Sequence, residues 1–180
     1  MTVLERRPPR DEIRRTMDIR HARRRPGQAG NNILESALVL VPTLAMIIGI
    51  VDVSFGVFAH TTLQHAVREG TRYAVTYSLV SGMGHDASIK SVVQANAMGF
   101  LASDSAMTKV FVRYYDTATF TEQTGTGSNA PGNIVEVSVE GLTRNWIASA
   151  LLGNLSPMNF NIRSSDRMEG LPSGTPLPAR

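Results

Sequence analysis

The chain has 180 residues, a formal net charge of +3 and a hydrophobic content of 42%, values that by themselves describe one ordinary domain with or without an appendage. The charge is segregated: residues 1–30 hold nine Lys/Arg against four Asp/Glu, a net of +5, and residues 31–180 hold nine against eleven, a net of −2. The body therefore carries no basic stripe, which speaks against nucleic-acid binding, and the absence of cysteine excludes disulfides, thiolate zinc sites and cysteine catalysis.

Residues 1–30 read as a polar, arginine-rich leader. An apolar helix follows. No charged residue occurs from Ser36 to Val51, and Asp52 is the only one before Ala59. A helix apolar on every side is either the core of a large protein or a membrane span, and this chain is too short to bury one. Residues 31–59 are therefore read as a transmembrane helix. Arg14, Arg15, Arg20, Arg23, Arg24 and Arg25 flank it on the N-terminal side. By the positive-inside rule the N-terminus stays in the cytoplasm and residues 60–170 form an exterior domain. The rival is a cleaved secretory signal ending at Val57-Phe58-Ala59, but the apolar stretch is about twice the usual h-region of 7–15 residues.

Two carboxylates mark this helix. Glu35 lies at its cytoplasmic start, where an acid complements the helix dipole and can reach water. Asp52 comes 17 residues later, about 26 Å along a helix, so both can sit near opposite faces of a bilayer. The plain reading of Asp52 is an outer-interface residue, with a subunit contact as the alternative. Pro42 is tolerated inside a span.

Beyond the span, Leu63, Ala66, Val67, Gly70, Tyr73, Ala74 and Tyr77 recur at helical spacing, with Arg68, Glu69 and Arg72 on the other face. The helix is expected to run to about Leu79 and to break at Ser81-Gly82-Met83-Gly84. Asp86 or Ser88 is expected to cap a second helix with Ile89, Val92, Val93, Ala97, Phe100 and Leu101 as its apolar stripe. Lys109–Asp116 and Ile134–Glu140 alternate as strands, 125–132 is a Gly-rich loop, Trp146–Leu152 a short amphipathic helix and Met158–Met168 a last strand. The Pro-rich segment 171–180 is expected to be a disordered tail. The fold class is α+β: a long N-terminal helix packed on a small antiparallel sheet, with one or two short helices.

The leader and helix start resemble a type IV-type prepilin. Arg23-Arg24-Arg25-Pro26-Gly27-Gln28-Ala29-Gly30 precedes Asn31-Asn32-Ile33-Leu34-Glu35 and the apolar run. The resemblance implies cleavage by a membrane prepilin peptidase between Gly30 and Asn31, with Glu35 fifth in the mature chain and paired with the terminal amine of a neighbouring subunit. Gly27 is a second possible cut site, which would put Glu35 at position eight. More narrowly, Glu35-Ser36-Ala37 with its aliphatic run to Pro42, then Gly49-Ile50-Val51-Asp52, then His65-Ala66-Val67-Arg68-Glu69-Gly70-Thr71-Arg72-Tyr73-Ala74 resemble, in order, the TadE-like pseudopilins of the tight-adherence (Flp-type) pilus. That family implies a minor pilin acting in pilus assembly or initiation at the bacterial cytoplasmic membrane. Its implied partners are the prepilin peptidase, other pilin and pseudopilin subunits and the pilus assembly platform. Asp52, Arg68, Glu69 and Arg72 become candidate assembly contacts. The alternative is an uncleaved signal-anchored envelope scaffold or binding protein.

No catalytic, cofactor or metal site is legible. His60 and His65 are five apart and do not share a helix face, while His21 and His85 stand alone. The loop 125–132 lacks the lysine of a phosphate-binding loop. Glu136 and Glu140 lie on the outward side of a strand and are no evident acid/base pair. An exported enzyme is the least favoured reading.

Overall fold

A computed structural model describes residues 28–103 and 107–180. The basic leader up to residue 27, including His21 and the alternative cut after Gly27, lies outside the described residues. The chain divides into two compact units, 1–46 and 47–180.

Helix α1 runs from Gln28 to Val75, 48 residues with Pro42 inside it. In the first unit its described surface is unburied, as an apolar helix without a protein core must be, and its hydroxyls look inward: Thr43 Oγ1 donates to the Val39 carbonyl at 2.7 Å. A backbone acceptor four residues back satisfies such a group without water. The helix qualifies by length and hydropathy as a membrane span.

The second unit is built on the remainder of α1. There Asp52, Gly56, Ala59, Leu63, Ala66, Val67, Gly70, Ala74 and Val75 are buried, the 3–4 spacing of one helix face. That face packs with helix α2 (His85–Asn96) and a four-stranded antiparallel sheet: β1 (Val110–Tyr115), β2 (Glu122–Gln123), β3 (Ile134–Arg144) and β4 (Met158–Arg167), in the order β2-β1-β3-β4. Helix α3 (Ser149–Leu152) lies in the β3–β4 connection. The α+β architecture expected from the sequence is the one observed.

Alternation places Val110 and Tyr114 of β1 with Val135, Val137 and Val139 of β3 in the core, along with Ile89, Val93, Ala97 and Leu101. On the opposite sheet face Arg113 bridges Glu140 and Glu136, the latter at 3.6 Å, and Ser138 donates to Glu140 at 2.9 Å. The Arg113 hydrogen bond holds the Glu140 carboxyl below its usual range. The two strand glutamates are thus ion-paired to one arginine.

Gly70 explains how α1 approaches so closely. A Cβ there would stand 2.4 Å from Val93 Cγ2 of α2, with Val137 of β3 also in contact. Only a residue without a side chain fits without displacement.

Several boundaries differ from expectation. Helix α1 stops at Val75, not Leu79, because Tyr77 adopts a left-handed φ of 54° and its N–H closes onto the Ala74 carbonyl. The Tyr77 side chain is drawn across the unit, its hydroxyl donating to the Asn129 carbonyl at 3.0 Å and its ring stacking on His85. Helix α2 begins after Gly84 with no side-chain cap. Instead the His85 N–H donates to the Ala179 carbonyl at 2.7 Å, so the C-terminal segment satisfies one of the helix's free donors. Strand β3 continues four residues past Glu140, through an irregularity between Val139 and Leu142 where Gly141 takes a φ of +64°. The segment 171–180 has no helix or strand, yet Pro178, Ala179 and Arg180 bond to Asn129, His85 and Asp86, contacts that its proline-rich composition does not announce.

Candidate functional site

The candidate residues are strung along α1 and are not gathered in one cavity. Gly30 and Asn31 fall in its first turn, since the helix opens at Gln28. The first N–H groups of a helix have no partner within it, so this turn is the easiest to unwind.

Glu35 is exposed one turn further on and makes no hydrogen bond or ion pair with any described residue. Its neighbours on the helix surface are Ser36, Val39, Leu40 and Thr43, which line a shallow depression with it. None of the residues from Asn31 to Val51 is buried. The carboxylate therefore stands unpartnered at the start of an apolar surface.

Asp52 behaves differently. It is 3% exposed, and its two carboxylate oxygens accept from the backbone N–H groups of Ile147 and Ala148, each at 2.8 Å. These donors precede α3 and belong to its uncapped start. A carboxylate on α1 thereby caps a turn some 95 residues away in sequence. Each oxygen already has a donor from its own chain. Asp52 is thus an internal brace, because two free N–H groups meet it at short distance, a role that leaves its expected depth at the outer interface unchanged.

Arg68 and Arg72 are exposed and Glu69 is half-buried, and among the described residues none of the three forms an ion pair. Gly70, between them in the motif, points inward against Val93. The motif combines a packing glycine with an unpaired charged face.

His60 and His65 are exposed, and among the described residues no three His, Cys, Asp or Glu side chains are grouped to hold a metal. His85, however, belongs to a buried cluster that sequence spacing does not reveal. It is fully buried, with Nδ1 at 3.1 Å from the Tyr114 hydroxyl and Nε2 without a hydrogen-bond partner. The Tyr114 hydroxyl donates to Asp86 Oδ1 at 2.9 Å, and Arg180 donates to Asp86 Oδ2 at 3.0 Å while lying 4.8 Å from the Tyr114 ring centroid. Burial pushes the His85 pKa down, against the opposing pull of Asp86 and the Ala74 backbone. Burial, then Asp86, holds the Tyr114 phenol well above its usual range. The cluster is apt for fastening the C-terminal segment to α2 and β1.

No curated protein and no solved structure matches the chain. Residues 33–72, which hold Glu35, Asp52 and the Arg68-Glu69-Gly70-Thr71-Arg72 motif, match the model of the TadE family, described as TadE-like protein, and the chain thus carries the family segment that its sequence resembles.

Proposed function

We propose that the chain is a pseudopilin-type minor subunit of a tight-adherence pilus, anchored in the cytoplasmic membrane by α1 and matured between Gly30 and Asn31. The TadE-like match relates it to pilus components in general; the finer role rests on Glu35. That carboxylate is exposed and unpaired at the start of a helix surface that carries no other charge until Asp52. In hydrocarbon a charged side chain is costly and takes a partner, and none exists within the described chain. Cleavage before Asn31 would create an ammonium group four residues from Glu35. In a neighbouring subunit that cation is the complementary charge, and the pair sets register between helices that have no hydrophobic reason to associate in lipid.

The role is one of assembly and not of turnover. Asp52 is spent on the fold, which leaves Glu35 as the span's available carboxylate and Arg68, Glu69 and Arg72 as a second, exterior contact face. The test is Glu35→Ala together with Glu35→Gln. Both variants should insert in the membrane at the normal level and fail to enter or initiate the pilus. Unchanged piliation with either one contradicts the pairing.

A further inference from the structure

The end of the second unit where α1 emerges from its apolar stretch differs in composition from everything around it. Three segments meet there: 53–67 of α1, 91–103 at the end of α2, and 145–162 around α3. None of them contains a single Asp, Glu, Lys or Arg. Phe55 of α1 packs edge-on with Phe100 at 5.8 Å and Phe58 packs tilted against it at 6.1 Å, and Met158 reaches Gly56. Asp52 and Arg144 do adjoin this end. Asp52 is sealed by the N–H groups of Ile147 and Ala148, and Arg144 is flattened over the Phe55 ring at 3.6 Å.

The side chains left uncovered include polar ones (Ser54, Asn145, Asn154 and Ser156, with His60, Thr61 and His65 further along α1) and several large apolar ones. Val53 is 57% exposed, Val57 59%, Phe58 46%, Ile147 49% and Leu155 40%. Trp146 is half-buried, with its indole N–H donated to the Ser156 carbonyl at 2.7 Å. Apolar surface grouped in this way calls for a covering.

The height of this surface along α1 follows from helix geometry. From Asn31 to Val51 there are 21 unburied residues (51 − 31 + 1), about 31 Å of helix, against a hydrocarbon core of about 30 Å. The interfacial layer adds roughly 5–7 Å on each side, or about four or five further residues, which is the stretch from Asp52 to Gly56. Asp52 is also the residue that holds Ile147 and Ala148. The brace therefore fixes the 145–158 connection at the level where the helix leaves the hydrocarbon.

We propose that this end is a membrane-interface surface: the 145–158 connection, with Trp146, Ile147 and Leu155, rests in the headgroup layer of the outer leaflet beside Val53, Val57 and Phe58. The domain is then seated on the bilayer and does not hang from it on a free helix. A tryptophan with an apolar body and a satisfied polar tip suits that layer, and an arginine laid over an aromatic ring can turn its charge toward lipid phosphates. The inference rests on α1 crossing the membrane, and is independent of the pilus role.

Trp146 is the chain's single tryptophan, so its fluorescence reports on this surface alone. The full chain would be reconstituted in vesicles of phosphatidylethanolamine and phosphatidylglycerol carrying lipids brominated at graded depths. The expected result is emission shifted to short wavelength, quenched more by bromines near the headgroup than by those near the chain terminus, and shielded from aqueous acrylamide. Vesicle-associated protein whose Trp146 is quenched by acrylamide and not by bromolipid overturns the proposal. So does a tryptophan shielded from both quenchers that becomes accessible on dilution into excess lipid, which would assign the surface to a second copy. Failure of the protein to float with the vesicles would instead remove the span, and this inference with it.

Discussion

The two ends of the second unit solve the same problem, a loose segment that must be held to a helix, with opposite chemistry. At the end where α1 enters the unit, Asp52 reaches out from α1 and binds the backbone of Ile147 and Ala148, close to Arg144 over the Phe55 ring. At the far end Arg180 comes in from the C-terminal segment and binds Asp86 at the start of α2, beside His85 and Tyr114. The first brace is buried. The second is a half-exposed ion pair, with side chains 26% and 23% accessible. A buried carboxylate with two amide donors contributes far more than a pair bathed by solvent, so the two ends should differ in how firmly they are held.

Removing the first brace should have the largest effect on this contrast. Asp52→Ala leaves one buried and one part-buried N–H group unpaired and is expected to cost about 2 kcal/mol. Amide exchange should accelerate across 145–158 while the segment 177–180 stays as protected as before. Uniform acceleration at both ends would erase the distinction. Gly70→Ala comes next. Its Cβ would meet Val93 at 2.4 Å, and the strain should cost about 2 kcal/mol by chemical denaturation. Because α1, α2 and β3 meet there, that loss should be shared by both ends.

Acid should discriminate between the ends. His85 has its pKa lowered from 6.5 by burial, so the unfolded chain takes up a proton more readily than the folded one. Its contribution is present in full above the unfolded pKa and is lost as pH falls through the folded value. Urea midpoints should drop as the pH falls below the ordinary histidine value of 6.5, with the loosening centred on α2 and the C-terminal segment, where Asp86, Tyr114, Tyr77 and Arg180 face the ring. His85→Gln should reduce that drop, and an unchanged pH dependence in the variant would count against this role. The smallest effect is expected for Arg180→Ala. It should cost about 0.5 kcal/mol, release the C-terminal segment to proteolysis, and leave Trp146 fluorescence unaltered.

These contrasts also mark where local sequence stops being informative. The apolar run, the alternation of Val135, Val137 and Val139, and the stripe from Leu63 to Ala74 are periodic, and period is what reports helix and strand. The TadE-like motifs were legible for the same reason: Glu35, Asp52 and Arg68 to Arg72 lie at fixed spacings along one helix. What period does not carry is the identity of distant partners. Asp52 reads as an interfacial acid, and its role as a brace for Ile147 and Ala148 has no signal in the local sequence. His85 reads as a turn histidine until Tyr114, 29 residues on, closes over it. Helix α1 was expected to run four residues too far, because the pull of Asn129 on Tyr77 has no local signature. A proline-rich end reads as disorder unless its carbonyls find donors, as those of Pro178 and Ala179 do.

Glu35 differs from all of these in having no partner among the described residues, and the proposed role depends on where its partner comes from. The decisive measurement is the intact mass and N-terminal sequence of the protein extracted from membranes of cells that carry a prepilin peptidase. A mature chain beginning at Asn31 is the predicted result. A chain that still begins at Met1 or Thr2, with its arginines attached, would contradict the account.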